Sequence, residues 1–300
     1  MRRSGVISVV LALGLALVTA GCGAAPTADP VTGATPAAVT TAVPTPGTTR
    51  STLTRPPAET SAAEPSTAET STAETSAPEP GAEDRSIPAD LVGLDLEVMP
   101  GADRVVALTF DAGANDAAVT SILQTLDDKD VTATFFLTGR WVEVYPDRAR
   151  EIAARYPVAN HSVTHADLTT LSDEAARAEV LDAEATTLDV TGQDPRPWWR
   201  FPLGARDDRT IALVNDLGYV SFRWTVDTLG WQGTSGGRSA DEVHDRVLDG
   251  LQPGEIVLLH VGSHPTDGSM LDAEALPGII DAIRAEGYAF VTLDAVVPHR

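Results

Sequence analysis

Cysteine is almost absent from this chain of 300 residues, Cys22 being the only one. An intrachain disulfide is therefore excluded, and the protein folds without one even if its compartment would permit it. Long apolar runs are missing too. The one candidate, Val6 to Val18, is too short for a comfortable bilayer span; it follows Arg2 and Arg3 and leads into small residues, which is the layout of an export signal. Large apolar residues are scarce from Gly23 to Ser86, where Ala, Thr, Pro, Ser and Glu dominate and Glu59, Glu64, Glu69, Glu74 and Glu79 recur at a fixed interval. Such a segment cannot bury enough apolar surface to offset its ordering entropy, and its repeat is too short and too polar for a solenoid. A disordered tether is expected, with a coil reach of about 45 Å. Basic residues are few: from Ile87 to Arg300 there are 16 against 35 acidic ones, a net charge of −19. That balance argues against nucleic acid and against direct contact with anionic lipid heads.

What is present begins with about 210 residues of mixed pattern, enough for one domain with a full core. Short β-branched runs alternate with helical ones. VVALTF (105–110), TATFFL (132–137), residues 157–160, WWRF (198–201), YVSFRWTV (219–226), EIVLLH (255–260) and YAFVTL (288–293) read as strands. Between them, residues 116–129, 142–155, a long stretch from Ser172, 209–217, 240–251 and 273–286 read as helices. Seven strands separated by six helices predict a parallel α/β barrel or a close variant. The strands run into Asp111, His161, Arg200, Asp227 and His260. In parallel α/β barrels the carboxyl ends of the strands meet at one mouth, where chemistry is done.

NHSVTH (160–165) puts His161 and His165 four positions apart. As one helical turn the pair would share a face and could converge on one metal ion. The helical pair of zinc proteases carries a Glu directly after the first His as general base, but here that position is Ser162, so the protease reading fails. Two exposed histidines in a polar loop are the bland alternative.

With these residues in order, the domain resembles the polysaccharide deacetylases of the NodB-homology type, carbohydrate esterase family 4. TFDAG (109–113), NHSVTH, RFPLG (200–204), VDTLGW (226–231) and LLH (258–260) are similar to that family's five motifs, in sequence. The resemblance implies a distorted (β/α)7 barrel that removes N-acetyl groups from amino sugars. It implies a divalent metal, zinc, on His161 and His165, with Asp111 as base and His260 as the acid that protonates the departing amine. Arg200 would orient Asp111, the backbone N–H of Leu203 would meet the oxyanion, and Trp231 and Leu258 would line the slot for the acetyl methyl. The substrate implied is cell-wall glycan, peptidoglycan in preference to chitin, and the protein is expected to be a monomer.

Two positions depart from the family's pattern. Ala112 replaces the Asp that normally supplies a third metal ligand, and Gly230 replaces the Asp that tunes the catalytic acid. Similar replacements occur in the branch that deacetylates muramic acid. Asn115 or Asp116 is expected to complete the metal shell, and Asp227 to orient His260. The alternative is an impaired enzyme that only binds wall glycan. A different chemistry is offered by GTSGG (233–237), which fits the G-x-S-x-G nucleophile elbow with Ser235 as a serine-esterase nucleophile, although a Gly-containing loop rather than a strand leads into it.

The N-terminus ends in VTAGC, which resembles the lipobox of bacterial lipoproteins with Cys22 as the lipidated residue. The organisation expected is a signal peptide over 1–21, a tether over 22–86 and the catalytic domain over 87–300. That places the domain outside the cell, lipid-anchored to the outer face of the membrane.

Overall fold

The computed structural model describes residues 85–299. The signal peptide, Cys22 and nearly all of the tether lie outside the described residues. Arg85, within the expected tether, is packed on the domain: its guanidinium donates to both oxygens of Glu184 and to the carbonyl of Leu217.

From there the elements run β1 (Asp95–Leu96), β2 (Val105–Ala112), α1 (Val119–Asp128), β3 (Thr134–Leu137), α2 (Gly139–Val144), α3 (Pro146–Ala153), β4 (Val158–Asn160), α4 (Asp173–Thr191) and β5 (Trp198–Trp199). They continue with α5 (Asp208–Asp216), β6 (Val220–Phe222), β7 (Val226–Asp227), α6 (Ala240–Asp249), β8 (Glu255–His260), α7 (Leu271–Ala285) and β9 (Ala289–Phe290). The strands form one sheet in the order β1-β6-β5-β4-β3-β2-β8-β7, with β9 paired to the start of β2. Every strand pair is parallel. Strands β2 to β8 are the staves of a distorted (β/α)7 barrel, the architecture expected, but the run 288–293 read as the last strand contributes only β9, two residues beside the start of β2.

Two expected elements are divided. The helix at 142–155 starts earlier, with Thr138 as its side-chain cap, and breaks at Tyr145, where Pro146 opens a second helix. Proline has no N–H to continue the first helix and suits the first turn of the next. The strand read over 219–226 is β6 and β7, joined by Arg223–Thr225. Its first part pairs with β5 and β1, its second with β8. One run of β-formers thus crosses the gap in the barrel, helped by residues 95–99. Leu96 O accepts from Arg223 N, Glu97 O accepts from Thr225 Oγ1, and Val98 bridges to Glu255.

Strand alternation sorts the core into layers. Val106, Leu108, Phe110 and Ala112 face outward against Ile122, Leu126, Ile279 and Ile283 of the helices. Ala107 faces inward with Phe136, Ala159, Trp198, Phe222 and Ile256. Thr109 and Asp111 continue that inward row toward the mouth. Phe136 is fully buried beneath the site, and truncating such a ring to Ala costs about 3–5 kcal/mol.

Candidate active site

Asp111, next to last in β2, is held from below by Arg200, which follows β5 and is fully buried. Arg200 Nη1 donates to Asp111 Oδ1 at 2.7 Å, Nη2 to Thr109 Oγ1 and to Arg223 O, and Nε to Phe222 O. The guanidinium also lies 4.0 Å over the ring of Phe136. A buried cation is tolerable only when paired and hydrogen-bonded in this way. Burial alone would raise the Asp111 pKa, but Arg200, His161 and His260 outweigh it and hold the carboxyl ionised, below its ordinary value.

After Asn160, which ends β4, the NHSVTH segment is a loop and not a helical turn, and its bends are left-handed at Ser162 (φ +66°) and His165 (φ +63°). Its shape is fixed from all sides. Asn160 Oδ1 accepts from Ser162 N, and Ser162 Oγ accepts from His165 N. The Glu179 carboxylate of α4 accepts from Val163 N, Thr164 N and Thr164 Oγ1. Below, the amide of Asn160 donates to Val180 O and to Tyr219 Oη, and that hydroxyl donates to Glu184.

This frame aims both imidazoles at Asp111. His161 is 2% exposed. Its Nδ1 lies 2.9 Å from Arg200 O, an arrangement that places the proton on Nδ1 and leaves the Nε2 lone pair 3.3 Å from Asp111 Oδ2. His165 stands edge-on to it, ring centres 4.9 Å apart. Burial keeps both rings neutral, lowering His161 to about 4 and lowering His165 as well, against the opposing pull of Asp111. Two neutral imidazoles, one backed by a carbonyl on its far nitrogen, are donors of the kind that bind a divalent cation, but they are only two. Among the described residues no cluster of three or more His, Cys, Asp or Glu side chains is arranged to hold one. The third ligand expected is not brought in. Asp116 turns outward, its carboxylate bound by Arg148 Nε at 3.2 Å, because the chain has passed the strand end by that point. Asn115 is occupied in tying the loop to Ser263, accepting from its N and donating to its O. Ala112 sits in the outer apolar layer.

Across the mouth, His260 ends β8. Its partner is not Asp227, as expected, but Asp272 in the first turn of α7. Asp272 Oδ2 accepts from His260 N at 2.9 Å and lies 3.4 Å from its Nδ1, while Oδ1 accepts from Thr228 Oγ1. Burial lowers the His260 pKa, but Asp272, then Asp111 and Asp227, reverse that and raise it above its ordinary value. Asp272 also accounts for Gly230. A Cβ built on Gly230 would overlap Asp272 Oδ1, so the space of a side chain at 230 is filled by a carboxylate from another element. Asp227 still lines the cavity, its carboxylate engaged by Leu229 N and Trp231 Nε1.

One cavity of about 610 Å3 brings together Asp111, His161, His165, Leu203, Asp227, Trp231, Leu258 and His260. Leu258 is on the floor. Leu203 (70% exposed, φ +60°) and Trp231 (51% exposed) form the rim. Non-glycine residues in the left-handed region cost about 1–2 kcal/mol each, and two of them, His165 and Leu203, line this cavity. The esterase elbow is also testable here. Ser235 does meet His264 and Asp267, but its Oγ (3.5 Å) and Asp267 Oδ2 (3.2 Å) both face His264 Nδ1. A relay needs serine and acid on opposite ring nitrogens. No triad exists there.

Comparison with known proteins settles the kinship. Residues 99–222 match the family described as polysaccharide deacetylase. A chitooligosaccharide deacetylase from Rhizobium leguminosarum bv. trifolii is 32% identical over 216 residues, 69% of this chain and 95% of that one. The chain belongs to the polysaccharide deacetylase family. Another member, the peptidoglycan-N-acetylmuramic acid deacetylase PdaA of Bacillus subtilis, is 28% identical over 64% of this chain and 71% of its own. Among solved structures, a CE4 family pseudoenzyme from Bacillus anthracis superposes with a TM-score of 0.62 and 30% identity, covering 69% of this chain and 70% of that one. A mutant of that pseudoenzyme has restored enzymatic activity. The family's barrel therefore does not guarantee turnover.

Proposed function

We propose that this chain is a metal-dependent N-deacetylase of cell-wall glycan, acting on peptidoglycan. The observation that carries the reading is the opposition, across one cavity, of an ionised Asp111 and a His260 whose pKa is raised. Amide hydrolysis needs such a pair, a base for the water and an acid for the amine. Asp111, fixed by Arg200, takes a proton as water oxygen attacks the acetamide carbonyl carbon. His260, its pKa raised by Asp272, delivers a proton to nitrogen as the C–N bond breaks, leaving acetate and a free amine. The backbone N–H of Leu203 faces the developing oxyanion, and Leu258, Leu203 and Trp231 exclude water around the acetyl methyl. His161 and His165 would hold the metal, zinc, which when bound supplies a positive charge that acidifies water and polarises the amide.

Peptidoglycan is favoured by the kinship with PdaA and by the N-terminus. Lipid on Cys22 and the tether to residue 86 would hold the domain outside the membrane, beside the wall. Cys22→Ser should release the protein from the membrane fraction. For the chemistry, Asp111→Asn should abolish acetate release from peptidoglycan with the fold intact, since an amide cannot take the proton, while Ser235→Ala should act as wild type. Activity surviving in Asp111→Asn would sink the assignment.

A further inference from the structure

Arg85 belongs to the stretch expected to be tether, yet three buried side chains join it to the loop that carries His161 and His165. Its Nη2 donates to Glu184 Oε1 at 2.7 Å and its Nη1 to Glu184 Oε2 at 3.1 Å. Glu184 Oε2 also accepts from Tyr219 Oη at 2.8 Å, and Tyr219 Oη accepts from Asn160 Nδ2 at 3.0 Å. Asn160 Oδ1 in turn accepts from Ser162 N, next to His161, at 3.0 Å. Glu184 is 8% exposed, and Tyr219 and Asn160 are fully buried. The place for Arg85 is shaped to receive it. Its Nη1 also donates to Leu217 O at 2.9 Å, and Gly218 (φ +86°) leaves room for its backbone, since a Cβ there would lie 3.0 Å from Arg85 O.

Each link in this line has one sense. A carboxylate only accepts, so the single proton of the Tyr219 hydroxyl goes to Glu184 and the hydroxyl oxygen is left to accept from Asn160. The amide nitrogen of Asn160 is thereby committed to Tyr219 and to Val180 O, and its oxygen is turned to Ser162 N. Reversed, that amide would set N–H against N–H at the first left-handed bend of the loop. What keeps the line in this sense is the charge on Glu184, and a buried charge is held only when paired. Arg85 meets both of its oxygens. Arg196 Nε stands 3.9 Å from Oε2, with its Nε and Nη2 turned to Asp194. We infer that Arg85 is a positioning residue for the histidine loop, acting through Glu184, Tyr219 and Asn160 to hold Ser162 and His161 in the geometry of the site. Its effect on turnover rests on the deacetylase reading; the line of contacts does not.

The test reads the ring-nitrogen NMR signals of the histidines in the metal-free full chain, with kcat and KM for acetate release from peptidoglycan measured on the same preparations. Arg85→Ala should move the signals of His161 and His165 and leave those of His244 and His264 in place. It should lower kcat, by up to about a hundredfold, with KM kept, as a displaced reacting group does. In a Tyr219→Phe chain, where the line is already cut, adding Arg85→Ala should move the signals no further. No movement, or equal movement in both backgrounds, would overturn the role. If Tyr219→Phe does not fold, Arg177→Ala takes its place. That variant removes another ion pair of α4, Arg177 Nη2 to Asp216 Oδ2 at 3.2 Å, which lies off the line. It should leave both signals where they were, and movement equal to that of Arg85→Ala would overturn the role as well. Acetate separates the two claims. A wild type that releases none removes the deacetylase reading while the signals still decide the line. A kcat unchanged in Arg85→Ala overturns the positioning role and leaves that reading standing.

Discussion

Replacing Asp272 by Asn keeps its shape and removes its charge. The carboxylate lies 3.4 Å from His260 Nδ1, and at an effective dielectric of about 20 an ion pair at that separation is worth about 5 kcal/mol before competing interactions are subtracted. Opposite charges this close ordinarily move a pKa by about one to three units. Without Asp272, burial is left opposed only by the more distant Asp111 and Asp227, so the His260 pKa should drop by that amount. Above the new value the protonated fraction falls about tenfold per unit. In a profile of kcat/KM against pH, the basic limb should shift down by about one to three units while the acidic limb, set by Asp111, stays where it was. Activity above the new value should fall, with recovery at lower pH. A structural role alone would scale the profile without moving either limb, and an unmoved basic limb would refute the argument. The overlap at Gly230 gives a further check. Gly230→Asp alone should destabilise the fold, because the new side chain has no room beside Asp272, but Gly230→Asp with Asp272→Gly should regain part of the acid function.

Three more expectations concern stability and metal. Glu255 is fully buried at the foot of β8 with neither carboxylate oxygen hydrogen-bonded, and burial raises its pKa from 4.5 to about 7. The native state then keeps a proton that the unfolded chain has lost, so this residue's contribution to stability falls as pH rises through that window, by about 3 kcal/mol, and is constant above it. Glu255→Met should raise Tm at pH 8 and do little at pH 4; equal shifts at both would contradict this. Leu203→Gly relieves a left-handed leucine with little packing lost, and should gain about 1 kcal/mol in thermal unfolding while raising KM through loss of the rim. A fall in Tm would show that the leucine is held by contacts and not by strain. Finally, His161→Ala and His165→Ala should each abolish metal binding in elemental analysis, and mild chelation of the wild type should remove activity reversibly.

Much of the site was legible because local sequence carries it. Asp111, His161, Arg200 and His260 each stand at the end of a β-pattern, and parallel strands bring such ends to one mouth. What local sequence could not carry was substitution across elements. Asp272, in LDAEAL, reads as an ordinary acidic residue in a helix's first turn, favoured there by the helix dipole. Only the coupled oddity of Gly230, where a carboxylate is usual, pointed to a replacement from elsewhere. Asp116 misled for the opposite reason: nearness in sequence to Ala112 did not survive the turn after Gly113, which sends its side chain to Arg148. The division of 219–226 was hidden because both halves are β-branched or aromatic, and what parts them is a change of neighbour, from β5 to β8.

The central claim is that this mouth cleaves acetyl from a wall glycan. Purified chain, supplied with zinc, should be incubated with peptidoglycan and the products digested to muropeptides for mass spectrometry, with free acetate measured in parallel. The account predicts muropeptides that have lost one acetyl group each, acetate in equal amount, and neither in Asp111→Asn. Intact acetylation of every muropeptide with zinc and the other divalent metals, from a folded chain that still binds the glycan, would contradict it.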